Sequence, residues 1–312
     1  MLRNSLRLFA GAMMIGLTLL VSGCDFSYMS TMNPVGPIGE TERDITLLTI
    51  LLMAFVFIPI LGMTIAIAWR YRSTSTNSKY TPDWDHSWLV ELFAWGGPII
   101  ILIILAVMTW ISTHDLDPYK AIDSDAKPIR INAVATDWKW LFVYPEENVA
   151  SVNEFAFPKN VPLEIHLTSN SVMNAFMIQR MGTQIFAMSG MRTKLHLMSR
   201  ETGNFDGGNY QYTGDGFSKM RFVARGMTKA GYQQWLDKVR AQGQPLDMAK
   251  FKKFAEPSVV EDAVYFSPVQ DELFWKVIDQ FHTPGKSDVV HATSSHDILP
   301  DSGTGAEHGT AH

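Results

Sequence analysis

Two long apolar runs constrain this chain more than anything else in it. Ile45 to Trp69 (ITLLTILLMAFVFIPILGMTIAIAW) carries no charged residue, and Trp88 to Ile111 (WLVELFAWGGPIIILIILAVMTWI) carries only Glu91. A bilayer core needs about 20 apolar residues in a helix, so each run is long enough to cross with some tilt. Each holds one proline, Pro59 and Pro98, which would kink a helix packed against other protein. The loop between the runs carries Arg70, Arg72 and Lys79, whereas Asp25 to Asp44 carries only Arg43. That bias places the loop in the cytoplasm and both flanking parts outside. Trp69, Tyr71, Trp84 and Trp88 fit an aromatic belt on the inner side. Glu91 lies about one turn inside the second run. Position alone leaves two readings of it open, a group that moves protons or a carboxylate near enough to water to do nothing further.

Before the first run the chain opens with Arg3 and Arg7, an apolar stretch from Leu8 to Val21, and Ser22-Gly23-Cys24. That is the pattern of a signal peptide ending at a small-residue cleavage site, over residues 1–23. Cys24 directly after Val21-Ser22-Gly23 resembles a bacterial lipobox, in which the cysteine is diacylated, becomes the mature N-terminus and is acylated on its amine. A first transmembrane helix that happens to contain a cysteine is the other reading, and the run is short for it. Cys24 is the single cysteine, so its lipidation would leave no free thiol. Charged residues make up 18% of the chain, with a net charge of -5. No basic stripe is present to neutralise phosphates, which argues against nucleic acid as a partner.

From Lys127 the pattern changes to period two. Ile129, Ile131, Ala133 and Ala135 alternate, as do Leu163, Ile165 and Leu167, then Leu195 and Leu197, then Met220, Phe222 and Ala224. Short strands with Gly, Pro and Asn turns argue for a Greek-key sandwich or small barrel. Trp138 and Trp140 sit two apart, a spacing that puts both on one face of a strand, as core or interface packing. The glycine- and tyrosine-rich stretch GNFDGGNYQYTGDGFSKM, Gly203 to Met220, reads as a long loop shaped like a binding site with no Cys or His in it. Thr228 can cap a helix that sets Tyr232, Trp235, Leu236 and Val239 on one face. Ser267-Pro268 would open another with Leu273, Phe274, Val277, Ile278 and Phe281. Methionines 173, 177, 181, 188, 191 and 198 read as gap filler rather than a copper cluster, and the four histidines after Thr283 lack tight ligand spacing.

The order of these features, with DWKW (Asp137 to Trp140) and NSVMNAFMIQRMGTQIFAMSGM (Asn170 to Met191), closely resembles subunit II of bo-type quinol oxidases in the haem-copper superfamily, over the mature chain to about His282. The resemblance implies two transmembrane helices carrying an all-β, cupredoxin-like Greek-key sandwich with C-terminal helices. The implied divisions are an N-terminal segment at 24–44, a hairpin at 45–112, the cupredoxin-like domain at 125–226, an aromatic-rich helical extension at 227–282 and a tail at 283–312. Copper-bearing relatives hold a dinuclear centre on two thiolates, two imidazoles, a methionine and a carbonyl. Matched position by position, Asn174 stands at the first His, Asn209 and Thr213 at the two Cys, Phe217 at the second His, and Met220 alone is retained. Copper thiolate chemistry needs soft ligands, and these residues supply no thiolate or imidazole.

The implied complex takes electrons from ubiquinol rather than from cytochrome c. Haems and copper would reside in subunit I, and this chain would bind no cofactor. Subunits I, III and IV and membrane lipid would be its partners, in the bacterial inner membrane, with the C-terminal domain in the periplasm. Glu91 matches the family's carboxylate at the mouth of a proton channel. Asp25 resembles an inner-membrane retention signal. A cytochrome c oxidase subunit II and a free-standing lipoprotein, acting in assembly or copper handling, are the alternatives.

Overall fold

The computed structural model describes residues 29–75, 82–260 and 262–282. The signal peptide, Cys24, Asp25, Lys79 and the tail from residue 283 lie outside them. The chain divides into two compact units, the first holding the apolar helices with segments 179–183 and 198–200, the second holding the rest of the described residues.

In the first unit, helix α1 runs Pro37–Arg70 and α2 Trp88–Asp115, with Pro59 and Pro98 inside them. Both are long and apolar enough to cross a membrane, and none of their most apolar stretch is buried. Helix α1 starts two turns before the apolar run because Pro37 occupies its first turn, where the missing N–H costs nothing. Those added turns are polar. The chain ahead of them is fastened by Val35, whose N–H donates to Arg180 O at 2.9 Å and whose carbonyl accepts from the Arg200 N–H at 2.8 Å. Arg200 also pairs with Glu40 at 2.6 Å.

The second unit is built on two mixed sheets. Its strands are β1 Ile129–Thr136, β2 Lys139–Tyr144, β3 Val149–Val152, β4 Glu154–Pro158, β5 Leu163–Ser169, β6 Asn174–Ile178, β7 Gly182–Ala187, β8 Thr193–Leu197, β9 Gly203–Asn209 and β10 Arg221–Met227. Helix α3 (Lys229–Gln242), β11 (Gln244–Leu246), helix α4 (Met248–Phe254), β12 (Tyr265–Val269) and helix α5 (Leu273–Asp279) follow. One sheet has the order β11-β12-β3-β2-β1-β5-β8, the other β4-β10-β9-β6-β7.

Between the sheets lies an aromatic core. Phe176 and Phe222 stack at 4.9 Å, and Trp140 meets them edge-on at 5.2 and 5.8 Å. Small residues make room for the rings: Ala135 pairs with Trp140, Ala133 with Phe142 and Gly207 with Phe222. A Cβ on Gly207 would lie 2.2 Å from the Phe222 ring, so a side chain there would overpack the core. The other face of the seven-stranded sheet is also covered, as Val134, Leu141, Val143 and Val152 pack with Phe251, Leu273, Val277 and Ile278 from the C-terminal elements. Burial on both faces makes β2 a continuous buried run, KWLFVY, rather than an alternating one.

Three expectations are corrected here. Trp138 is not in a strand beside Trp140; it sits at φ 66° in the two-residue turn between Thr136 and Lys139. Ser267-Pro268 opens no helix but lies within β12, and Phe281 lies past the end of α5, 46% exposed. The extension after Met227 is not helical throughout, because β11 and β12 prolong the first sheet. The Thr228 cap is as the sequence predicts: its side chain accepts from the Gly231 N–H, and Tyr232, Trp235, Leu236 and Val239 are buried.

Candidate functional site

The segment between β9 and β10 folds back onto the start of β6. Asn209 ends β9 and Asn174 opens β6, so the antiparallel pairing of these strands sets their amides face to face. Asn209 Nδ2 donates to Asn174 Oδ1 at 2.7 Å and reaches Thr213 Oγ1 at 3.3 Å and Met220 Sδ at 3.5 Å. Its Oδ1 accepts from the N–H groups of Ala175 and Gln211 at 2.8 and 3.0 Å. Asn174 Nδ2 donates to Val172 O at 2.8 Å and Ser169 Oγ at 3.3 Å. Asn174, Asn209 and Met220 are all buried. Four of the five positions matched to copper ligands therefore converge, and amide hydrogen bonds fill the space between them. Phe217 does not join them: it opens a 3-10 turn, and its ring meets Tyr212 edge-on at 5.7 Å.

Trp138 reaches this loop from the β1–β2 turn. Its Nε1 donates to Thr213 O at 3.1 Å, and a Cβ on Gly216 would lie 2.3 Å from its ring. Holding a bulky residue at positive φ costs of order 1–3 kcal/mol, so the surroundings must fix it. Trp140 is fully buried in the aromatic core.

The donor set here is two carboxamides, a hydroxyl and a thioether. It does not fit a dinuclear copper centre, which requires bridging thiolates. Among the described residues no group of three or more His, Cys, Asp or Glu is placed to hold a metal ion. Of the methionines, Met181 is fully buried while Met173 and Met191 are exposed.

Glu91 stands in the first turn of α2, where the positive end of the helix dipole favours a carboxylate. Its side chain is 54% exposed, and His86 Nε2 lies 3.4 Å from its Oε1.

Sequence reasoning missed three polar anchors, of which Lys139 and Glu154 are buried and Asn153 half-buried. Lys139 Nζ donates to Phe254 O, Glu256 O and Ser258 Oγ at 2.6, 2.9 and 2.6 Å and lies 4.7 Å from the Phe254 ring centre. Burial pushes its ammonium below the ordinary lysine range, opposed by Asp137 and Glu256. Asn153, at φ 54°, accepts from the Trp140 N–H at 2.9 Å and donates to Val260 O at 2.7 Å. Glu154 accepts from Tyr265 Oη at 2.6 Å, Trp235 Nε1 at 3.2 Å and Arg225 Nε at 2.9 Å. Burial raises that carboxyl, but the hydrogen bonds outweigh it and hold it low. The only sequence signal was the polar residue interrupting an apolar run, as at Asp137-Trp138-Lys139-Trp140.

A model of the COX Aromatic Rich Motif matches residues 240–285. The chain is 44% identical over 283 residues to the cytochrome bo(3) ubiquinol oxidase subunit 2 of Pseudomonas aeruginosa, covering 89% of this chain and 85% of that protein. It is 39% identical over 267 residues to the ubiquinol oxidase subunit 2 of Acetobacter aceti, covering 85% of each. Among solved structures, the periplasmic domain of subunit II of the cytochrome oxidase (CoxB) of Bradyrhizobium japonicum is 21% identical, with a TM-score of 0.35, over 38% of this chain and 96% of that one.

Proposed function

From the premise that the chain belongs to the subunit II family of bo(3)-type ubiquinol oxidases, we infer that it works as a scaffold and docking subunit in an enzyme fed by quinol rather than by cytochrome c. It is the non-haem subunit of that enzyme, and the Asn174–Asn209 amide pair is the observation that carries the donor assignment. In copper-bearing relatives the same positions receive electrons from a soluble haem protein. Two carboxamides and a threonine cannot accept an electron, so electrons must enter the complex elsewhere. A quinol, oxidised within the membrane, releases two electrons and two protons. Two quinols reduce one dioxygen to two waters, at haem and copper held by subunit I.

Subunits I, III and IV are the partners of this reading, and the exposed apolar faces of α1 and α2 support it, since they await lipid or protein. The excess of cationic residues between the helices supports a periplasmic sandwich in the inner membrane. Cys24 is the lipidated residue, supported by the apolar run and small residues before it. Glu91 is a proton collector at the cytoplasmic end of α2, supported by its partial exposure and by His86 beside it.

The test is purification of the tagged subunit from its host in mild detergent. The expected preparation contains a haem-bearing partner and no copper in excess of the oxygen-reducing site. A haem-free preparation, or one with two further copper ions per complex, would overturn the reading.

A further inference from the structure

The described chain begins at Met29, five residues after Cys24. An extended chain covers at most about 3.6 Å per residue, so the five residues that lead from Cys24 to Met29 can reach at most about 18 Å. Ser30–Met32 forms a 3-10 turn that packs on α1, which keeps this reach beside the start of that helix.

Beside the same helix start, α1 and α2 border a groove of about 560 Å³. Its walls are apolar, from Ile45, Ile103, Ile104, Val107 and Met108, and Thr41, Ser112 and Asp115 make a polar rim at one end. Ile103 to Asp115 spans about 18 Å of helix. One leaflet of the hydrocarbon core is about 15 Å deep. A groove that is polar at the surface, apolar below it and one leaflet deep has the shape of a single acyl chain. Lipid tails are as apolar as leucine, so escape from water does not favour a guest here. Packing and tethering do, and a chain fixed on Cys24 is present at far higher local concentration than a diffusing lipid.

We propose that an acyl chain carried by Cys24 lies in the groove between α1 and α2 and joins the two spans at their outer ends. The inference rests on the reading of Cys24 as lipidated. The N-terminal anchor is then part of the packing of the hairpin, beyond retention in the membrane that two spans already secure.

The test feeds the host a photoactivatable fatty acid, then purifies and irradiates the intact complex. Intact mass of the subunit is read first, and an unmodified Cys24 would remove the lipid reading itself. On lipidated protein, the expected product joins the peptide beginning at Cys24 to the peptide containing Ile103 to Met108. Val107→Trp, which fills the groove, should lower that yield at least fivefold with the lipidated mass unchanged. Groove residues joined only to free phospholipid, or Cys24 cross-links that fall elsewhere, would overturn the proposal.

Discussion

Asn209 holds both sides of the loop at once, through its oxygen to two backbone N–H groups and through its nitrogen to Asn174. Asn209→Ala leaves those buried groups without partners, at about 1–3 kcal/mol each. The expected result is a loss of at least ~2 kcal/mol in denaturant unfolding, and a loss under ~0.5 kcal/mol would mean that the amide pair does not organise the loop. On the far side of the sheet, His166 Nε2 donates to Glu164 Oε1 at 2.6 Å. That hydrogen bond holds the Glu164 carboxyl down to about 2 from 4.5. A lowered carboxyl stabilises the fold above its unfolded value, so this contribution is complete above about pH 4.5 and lost as pH falls towards 2. Burial also lowers His166 from 6.5, so acid favours the unfolded chain from that side as well. Glu164→Gln should lower the thermal midpoint at neutral pH and flatten its fall on acidification. Parallel curves for the two proteins would show that the pair does not contribute.

The aromatic-rich elements are held to the sandwich by more than apolar contact. Lys139 binds the segment that follows α4, and Glu154 ties β4 to α3, β10 and β12. Lys139→Met keeps the stem but takes the ammonium from the Phe254 carbonyl, while the Glu256 carbonyl keeps the Ser258 hydroxyl, a cost of about 1–3 kcal/mol. Limited proteolysis should then cut faster between residues 254 and 260 than elsewhere, and unchanged cleavage would assign the fastening to packing alone. The apolar spans and the alternating strands were legible in the sequence, since each follows from one buried face or from bilayer thickness. The helix α3 was legible through its cap and its period. Strands β11 and β12 were not, because YFSPV carries no alternation and forms a strand by pairing with β3 on one side and β11 on the other. The turn at Trp138 was missed because spacing gives parity along a strand and not where the strand breaks. The convergence of Asn174, Asn209, Thr213 and Met220 came from resemblance, for no spacing rule brings together residues that sheet pairing places side by side.

In the intact complex, the chain contributes two spans and a sandwich whose loop between β9 and β10 is closed by the Asn174–Asn209 amide pair. If Glu91 collects protons, Glu91→Gln should lower turnover several-fold while haem content and subunit composition stay unchanged, and full turnover in the assembled variant would leave Glu91 without that role. The most direct measurement is oxygen uptake by the purified complex with ubiquinol and, separately, with reduced cytochrome c as electron donor. Uptake with ubiquinol alone is expected, because the Asn174 and Asn209 amides offer no place for an electron to land. Uptake driven by cytochrome c would contradict the reading of this loop and of the subunit built around it.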